Sequence, residues 1–501
     1  MKKGNSKTRS SIALVLIILV VSIVSAGLSS EPSGQTVLLN GSISYDSTAA
    51  IDITINTGST EGVNNLSLAF MLDWERWATF KDSPVQQQMV RDAGFKLVRV
   101  FDFRKTSSYG YPNLMPCTQW DEATKTGKWS WTQVDNLTQA ILSTGAEPLF
   151  CLGNGRTNIK DYIPPGMAVN TTTGLPNPQS YAAYAKEWVK HFKTTGTPVR
   201  YYQILNEPYF YFGWSLTAKL GYAVDLWNAA ARAMRSENPN IFLSQDSMTI
   251  KFVFDYWLTH GDNVDYLDFH KYDADTIGTY TDAQMFTRAE QNMFETKGSY
   301  YGVNEARQKW QTARGKWLPV INSESNFNSG WDTGTDPKIQ QMTGAVWLGL
   351  VLRTAILKGL SYSVYFEFSS SKSQAQAGGG TGWGFGMVNK DDNKPWYPYY
   401  VQKMIGSNLA TGNTLVKTQS SSEEIRSIAW INQGKLNLLV ICKVDQPRTV
   451  SFQGVNGQLS LTWIDSTVAY TSPVVQTGNI DSGDNLALKG YTVALLQCPV
   501  A

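Results

Sequence analysis

Residues that bind metals or carry charge are scarce in this 501-residue chain. It contains only three histidines and four cysteines, and their spacing matches no zinc motif. We therefore expect no metal and no cofactor. Charged residues make up 17% of the chain, below the usual quarter. With a net charge of +2 and no cluster of basic residues, the sequence excludes the electrostatic attraction that nucleic-acid binding requires.

Long apolar segments are scarce too. One run of about 13 residues, 12–24, follows four basic residues and precedes the small residues Ser25, Ala26 and Gly27. This arrangement is typical of a signal peptide, and the run is shorter than the roughly 20 residues that cross a bilayer. We expect a signal peptide over 1–26 and a secreted or extracellular protein. If the segment is not cleaved, residues 12–24 would anchor the protein to a membrane.

Aromatic residues are abundant instead, at 12% of the chain. Low charge combined with many tryptophans and tyrosines favours a neutral ligand that has apolar faces, such as a sugar ring. An extracellular protein with an aromatic core would have the same composition. Composition alone does not separate the two.

Between residues 61 and 406, short apolar runs alternate with helical patterns, which predicts βα units around a parallel sheet. Asn177 before Pro178, and Asp336 before Pro337, are helix start signals. The apolar runs number eight, as in a (β/α)8 TIM barrel. They cover residues 66–72, 96–101, 148–152, 200–205, 241–244, 265–269, 318–322 and 362–368.

After residue 407 the pattern changes to alternating strands separated by turn signals, which predicts a β-sandwich over 407–501. Residues 27–60 alternate in the same way. Because a lone hairpin is marginal in water, we expect these N-terminal strands to join the sandwich. The predicted fold is therefore α/β, a TIM barrel over 61–406 with a C-terminal β-sandwich.

The four cysteines suit an oxidising compartment. Cys117 and Cys151 fall in the predicted barrel, and Cys442 and Cys498 fall in the C-terminal strands. We expect one disulfide within each region, although four cysteines allow three connectivities.

Two glutamates stand where the chemistry of a barrel is found. Glu207, in Asn206-Glu207-Pro208, ends the fourth predicted strand, and Glu324 ends the seventh. Side chains at the C-terminal ends of barrel strands converge on one face. Two carboxyl groups about 5–5.5 Å apart can cleave a glycosidic bond with retention of configuration. The alternative is a pair of surface glutamates in loops.

These motifs resemble those of clan A glycoside hydrolases, and most closely the β-xylosidase/α-L-iduronidase family. Residues 131–135 and 145–150 look like the second helix and third strand of that family. The resemblance implies that Glu207 is the acid/base and Glu324 the nucleophile of a retaining β-glycosidase. The sequence departs from the family at Leu205, at Ser325 and in strand eight, which leaves the substrate open.

The resemblance also implies roles for other residues. Arg99 would lie beneath the nucleophile, and Asn206 would donate to the sugar 2-hydroxyl. His270 and Tyr272 match the His-x-Tyr pair of strand six, in which the tyrosine donates to the nucleophile. Each has a structural alternative: a barrel salt bridge for Arg99, a core histidine for His270 and a packing role for Tyr272. Aromatic candidates for sugar stacking are Trp74, Trp214 and Trp383, together with Trp77, Tyr209 and Trp331.

The sequence therefore favours a secreted retaining hydrolase of a neutral β-linked polysaccharide or oligosaccharide, such as glucan, xylan or mannan. An exo-acting β-xylosidase is the variant within this class. A carbohydrate-binding surface protein that keeps the fold without turnover is the alternative outside it. No nucleic-acid partner is expected, a membrane is expected only if the leader is uncleaved, and the oligomeric state is open.

Overall fold

A closed barrel of eight parallel strands carries the candidate site, and it confirms the predicted TIM barrel. The computed structural model describes residues 36–38, 49–73, 76–101, 103–105, 113–153, 161–208, 218–246, 250–330, 335–371, 384–469 and 472–500. All eight predicted runs coincide with barrel strands. In chain order, which is also their order around the barrel, these are Ser67–Leu72, Leu97–Val100, Glu147–Cys151, Tyr201–Gln203, Phe242–Gln245, Tyr266–Ala274, Val320–Asn328 and Tyr362–Tyr365.

Helices alternate with the strands around the barrel. The helix that precedes the fourth strand has both of its ends fixed by local chemistry. Helix Pro178–Thr195 begins at the predicted cap, where the Asn177 side chain accepts hydrogen bonds from Gln179 N and Ser180 N. Gly196, with a φ of 69°, ends it in the left-handed conformation that glycine tolerates. The described helices are Arg76–Lys81, Pro84–Asp92, Thr132–Leu142, Pro178–Thr195, Ala218–Glu237, Lys251–His260, Asp282–Gln291, Val303–Arg314, Met342–Leu357 and Tyr397–Gly406.

The predicted helix start at Asp336 has two parts. The Asp336 side chain accepts from Lys338 N, but the turn that it caps is the short 3₁₀ helix Pro337–Gln340. The α-helix Met342–Leu357 begins after it, and 14 of its 16 residues are buried. A helix that is apolar all round must be covered on every side. The barrel covers one side of it and the C-terminal sheet covers another.

A ten-stranded sheet follows the barrel, and strands from both ends of the described chain meet in it. Strand Ile51–Val63 pairs antiparallel with Thr414–Ser420 and parallel with Arg448–Gln453. Strand Thr36–Leu38 lies parallel to Asn485–Leu488. The remaining strands of this sheet are Ile425–Asn432, Lys435–Cys442, Gln458–Ile464, Gln476–Asp481 and Thr492–Pro499.

The two faces of the sheet serve different cores. Along strand Lys435–Cys442, Leu439 and Ile441 pack into the core of the barrel, whereas Leu438 and Val440 pack into a second core that the sheet itself encloses. This alternation follows from the two-residue period of a strand, and a sheet with its own core fits the predicted β-sandwich. Residues Thr36–Ala501 form one compact unit.

The expected disulfide in the sheet is wrong because of strand register. Cys442 lies opposite Thr492, whereas Cys498 lies opposite Leu436, six residues away along the same strand pair. At roughly 3.3 Å per residue the two cysteines are about 20 Å apart, far beyond the reach of a disulfide. Both are buried free thiols.

The expected disulfide in the barrel is not formed either. Cys117 lies in the hairpin Cys117–Asp121/Thr126–Trp129, which follows the second barrel strand, and Cys151 ends the third strand. Both are buried free thiols. Their sulfur atoms donate to the carbonyl oxygens of Gln119 and Gly153 instead, each at 3.4 Å.

None of the described helices combines the length and apolarity needed to cross a membrane. The predicted signal peptide, 1–26, lies outside the described residues.

Candidate active site

Glu207 and Glu324 meet at the C-terminal end of the barrel, as their strand positions predict. Glu207 follows the fourth strand, and Glu324 lies in the seventh. Both residues are almost buried, with 6% and 8% exposed. One oxygen of each carboxyl group lies within 4.8 Å of the other and of a His270 ring nitrogen. This separation matches retaining glycosidases and is well below the roughly 6.5 Å at which the inverting geometry begins.

The backbone turns sharply at Glu207 and aims its side chain into the barrel mouth. Its φ of 45° lies in the left-handed region, where a non-glycine residue is strained by about 1–3 kcal/mol. Two hydrogen bonds hold the turn. Asn206 N donates to Gly153 O at 2.8 Å, and Glu207 N donates to Asp246 Oδ2 at 2.5 Å.

Arg99 links the nucleophile candidate to the Glu207 loop. It is fully buried in the second barrel strand. Nη1 donates to Glu324 Oε2 at 2.8 Å, Nη2 to Asn206 Oδ1 at 2.5 Å and Nε to Gln203 Oε1 at 2.6 Å. The forked guanidinium thus orients three polar groups at once.

Tyr272 supplies the second donor to Glu324. Its hydroxyl donates to Oε1 at 2.5 Å, while Arg99 donates to Oε2. Both carboxylate oxygens therefore have a donor, and such donors stabilise negative charge on the carboxylate.

His270 lies among three carboxyl groups because the sixth strand places it beside Glu324. Nδ1 is 3.1 Å from Glu207 Oε1 and 3.7 Å from Glu324 Oε2, and Nε2 is 3.4 Å from Asp246 Oδ2. Burial alone would lower the pKa of His270, but the charges of Asp246, Glu324 and Glu207 raise it to about 9. The neighbouring carboxyl groups thus favour the protonated form of His270.

Glu207, His270 and Glu324 also offer three ligand atoms close enough for one metal ion. Both oxygens of Glu324 already accept hydrogen bonds, Oε2 from Arg99 and Oε1 from Tyr272. The cluster therefore suits a shared proton better than a metal ion.

Three polar residues of the site were not anticipated from the sequence: Gln203, Asp246 and Asp268. Gln203 Nε2 donates to Asp268 Oδ2 and, at 3.1 Å, to Ser323 Oγ. Asp268 is fully buried, and burial raises its pKa to about 7. The available signal was a polar residue inside, or just after, an apolar strand pattern.

Most of the aromatic residues that were predicted to stack on sugar rings are not described by the structure. Trp74, Trp214 and Trp383, with Tyr209 and Trp331, lie outside the described residues. Trp77 lies in helix Arg76–Lys81, and only 2% of it is exposed. A ring buried in the core has no face to offer a sugar, so its expected stacking role is wrong.

No protein-family model and no curated protein matches this chain. Solved structures do resemble it. A monomeric β-xylosidase from Caulobacter crescentus is 15% identical with a TM-score of 0.60, and the match covers 90% of this chain and 100% of that one. A GH30 endoxylanase from Clostridium papyrosolvens (13% identity, TM-score 0.56) and a GH51 α-L-arabinofuranosidase from Thermotoga petrophila (12% identity, TM-score 0.61) are matched over the same shares of the chains. At these identities the likeness concerns architecture: this chain has the fold of those glycosidase structures.

Proposed function

We propose that this protein is a retaining β-glycosidase of the clan A type, with Glu207 as the acid/base and Glu324 as the nucleophile. The observation that carries the proposal is the pair of carboxyl groups within 4.8 Å of each other at the C-terminal end of the barrel. Their surroundings differ. Glu324 accepts from Arg99 and Tyr272, whereas Glu207 contacts one imidazole nitrogen. The similarity to xylosidase, xylanase and arabinofuranosidase structures supports the same reaction class.

In the first step, protonated Glu207 gives its proton to the glycosidic oxygen while Glu324 attacks the anomeric carbon. The bond to the leaving sugar breaks, and its electron pair stays with the departing oxygen. A glycosyl ester on Glu324 remains. Because Asn206 Oδ1 already accepts from Arg99, its amide N–H groups are left to donate to the sugar 2-hydroxyl.

In the second step, Glu207 is a carboxylate and removes a proton from water, whose oxygen attacks the anomeric carbon. The ester bond to Glu324 breaks, and the sugar leaves with its original configuration. His270 lies 3.1 Å from Glu207 and 3.7 Å from Glu324, so one ring nitrogen is close to both carboxyl groups as they ionise in turn.

For the substrate we propose a neutral β-linked glycan. The names of two similar structures, a β-xylosidase and an endoxylanase, make xylan and xylosides the first substrates to test, followed by glucan and mannan. We also propose that residues 1–26 direct export, because a polymer of this kind is too large to import. A panel of aryl glycosides and these three polymers, with product lengths measured, would identify the sugar and separate endo from exo action.

The nucleophile is tested with Glu324→Ala. We expect a loss of turnover of at least about 10³-fold, and azide should restore product release as a glycosyl azide of inverted configuration. Glu147→Gln is the matched control, because Glu147 opens the third strand at the opposite end of the barrel and pairs with Arg200. It should retain wild-type activity. Activity of Glu324→Ala within about tenfold of wild type would remove this residue from the nucleophile role.

The acid/base is tested with Glu207→Ala. Leaving groups that depart without a proton should still be released to form the glycosyl-enzyme, so aryl glycosides with acidic phenols should lose far less kcat/KM than natural substrates. An equal loss on both kinds of substrate would contradict the acid role.

A further inference from the structure

Asp246 has no role in the mechanism above, yet it touches the site from an independent strand. It follows the fifth barrel strand, Phe242–Gln245, and only 2% of it is exposed. A buried carboxylate is unfavourable unless its partners compensate for the lost hydration. Its partners include Glu207, the proposed acid/base, and His270, which contacts the carboxyl group of Glu207.

One oxygen of Asp246 accepts from the backbone of Glu207 and also lies near the ring of His270. Oδ2 accepts from the backbone N–H of Glu207 at 2.5 Å, and the same atom lies 3.4 Å from His270 Nε2. The opposite ring nitrogen, Nδ1, lies 3.1 Å from Glu207 Oε1. Two hydrogen bonds and one longer charge contact, between His270 Nε2 and Asp246, therefore join Asp246, the backbone of Glu207, its side chain and His270 in a ring.

We propose that Asp246 is a positioning residue for the acid/base, holding the backbone of Glu207 directly and its carboxyl group through His270. The inference rests on the proposed function. The backbone contact stabilises the left-handed conformation of Glu207, and the imidazole contact restricts the torsions of its side chain. Proton transfer depends steeply on such placement, because an error of about 1 Å can cost about 100-fold in rate.

The nucleophile has hydrogen-bond donors of its own. Glu324 is held by hydrogen bonds from Arg99 and Tyr272. Asp268 belongs to that second network, because Gln203 bridges it to Arg99. Asp268 is therefore a useful comparison for Asp246: it reaches the catalytic groups through Gln203 and Arg99, whereas Asp246 accepts directly from the backbone of Glu207.

The test compares aryl β-glycosides of the sugar that wild type hydrolyses, from dinitrophenyl to unsubstituted phenyl leaving groups. We expect Asp246→Asn to lower kcat/KM about 10- to 100-fold for the phenyl glycoside, which needs a proton, and less than about threefold for the dinitrophenyl glycoside. Asp246→Ala, which loses the backbone contact as well, should show a larger difference. Asp268→Asn should lower kcat/KM for both substrates by the same factor.

A double mutant separates positioning from a general structural effect. In a Glu207→Ala background, Asp246→Asn should change kcat/KM for the dinitrophenyl glycoside by less than about twofold, since the residue through which it acts is gone. If Asp246→Ala does not fold, Asp246→Asn keeps the side-chain shape and suffices for the comparison.

Two results overturn the inference, and they differ from each other. In the first, Asp246→Asn lowers kcat/KM by the same factor for both leaving groups, and by that factor again in the Glu207→Ala background. This result would show a structural role only and leave the proposed function intact. No hydrolysis of any glycoside by wild type would overturn the proposed function, and the inference with it.

Discussion

Arg99 acts through the directions of its nitrogens as much as through its charge. It donates to Glu324, Asn206 and Gln203 from three different atoms. The point charge of a lysine ammonium cannot reproduce this fork. We expect Arg99→Lys to lower kcat/KM about 100-fold or more. Arg99→Met removes the ion-pair partner of a buried carboxylate and should lower the free energy of unfolding by about 3–5 kcal/mol.

Kinetics on an aryl glycoside and urea denaturation would measure both effects. Arg200→Lys is the control, because Arg200 pairs with Glu147 at the exposed end of the barrel. It should keep full activity and lose no more than about 1 kcal/mol. If Arg99→Lys behaves like Arg200→Lys, the fork has no special role.

His270 makes stability depend on pH. Its pKa of about 9 in the folded protein lies above the ordinary value of 6.5, so the folded state binds the proton more tightly. The resulting stabilisation is fully present below about pH 6.5 and is lost as the pH rises through 9, on the order of 3 kcal/mol in total. Denaturant unfolding at a series of pH values should show this decline in wild type and a flatter profile in His270→Gln. Parallel profiles would contradict it.

At the site, residues that are part of a recognisable motif could be predicted from the sequence. Residues that only the folded barrel brings to the site could not. Glu207, Glu324 and Arg99 could be placed because strand number and family resemblance locate them, although their roles remain predictions. Asp246 could not be placed. A single aspartate after a strand looks like any turn aspartate, and only the barrel brings it next to Glu207 and His270.

The helix before the fourth strand offers a test at the scale of one element. Asn177 caps helix Pro178–Thr195 through two backbone N–H groups. Asn177→Ala should lower the free energy of unfolding by about 1 kcal/mol, whereas Asn177→Ser keeps a cap and should stay within a few tenths of wild type. Thermal or urea unfolding measures the difference. Equal stabilities of the two variants would show that the cap contributes nothing.

Element positions were more predictable than their lengths. All eight barrel strands fall where the apolar runs occur, but the sixth and seventh continue to Ala274 and Asn328, five and six residues beyond the predicted ends. Their continuations are polar, and they pair with each other at the barrel mouth, up to Ala274 opposite Asn328. The apolar pattern in the sequence marks the buried part of a strand. It therefore stops where the strand continues into polar residues that line the site. Strand register is equally invisible to it, which is why the pairing of Cys442 with Cys498 was wrong.

Barrel and sheet should unfold together. Helix Met342–Leu357 is buried on nearly all sides, and Gly349 within it approaches Ile441 and Val493 of the sheet so closely that an added Cβ would lie 3.2 Å from the Ile441 side chain. We expect a single calorimetric transition for the full chain. A chain ending at Gly406 should aggregate, because it exposes this apolar helix. Two separate transitions, or a soluble truncated barrel with native circular dichroism, would contradict this.

Strand Ile51–Val63 has a consequence for the order in which the protein is made. It emerges early from the ribosome, but its two partners, Thr414–Ser420 and Arg448–Gln453, are synthesised more than 350 residues later. Until then its edges have no neighbour, and an unpaired strand edge invites association with other chains. Contacts of such long sequence separation also form slowly. For most of its synthesis, therefore, the nascent chain cannot protect this strand by pairing it within its own sheet. A chaperone or another factor must keep the strand from associating with other chains.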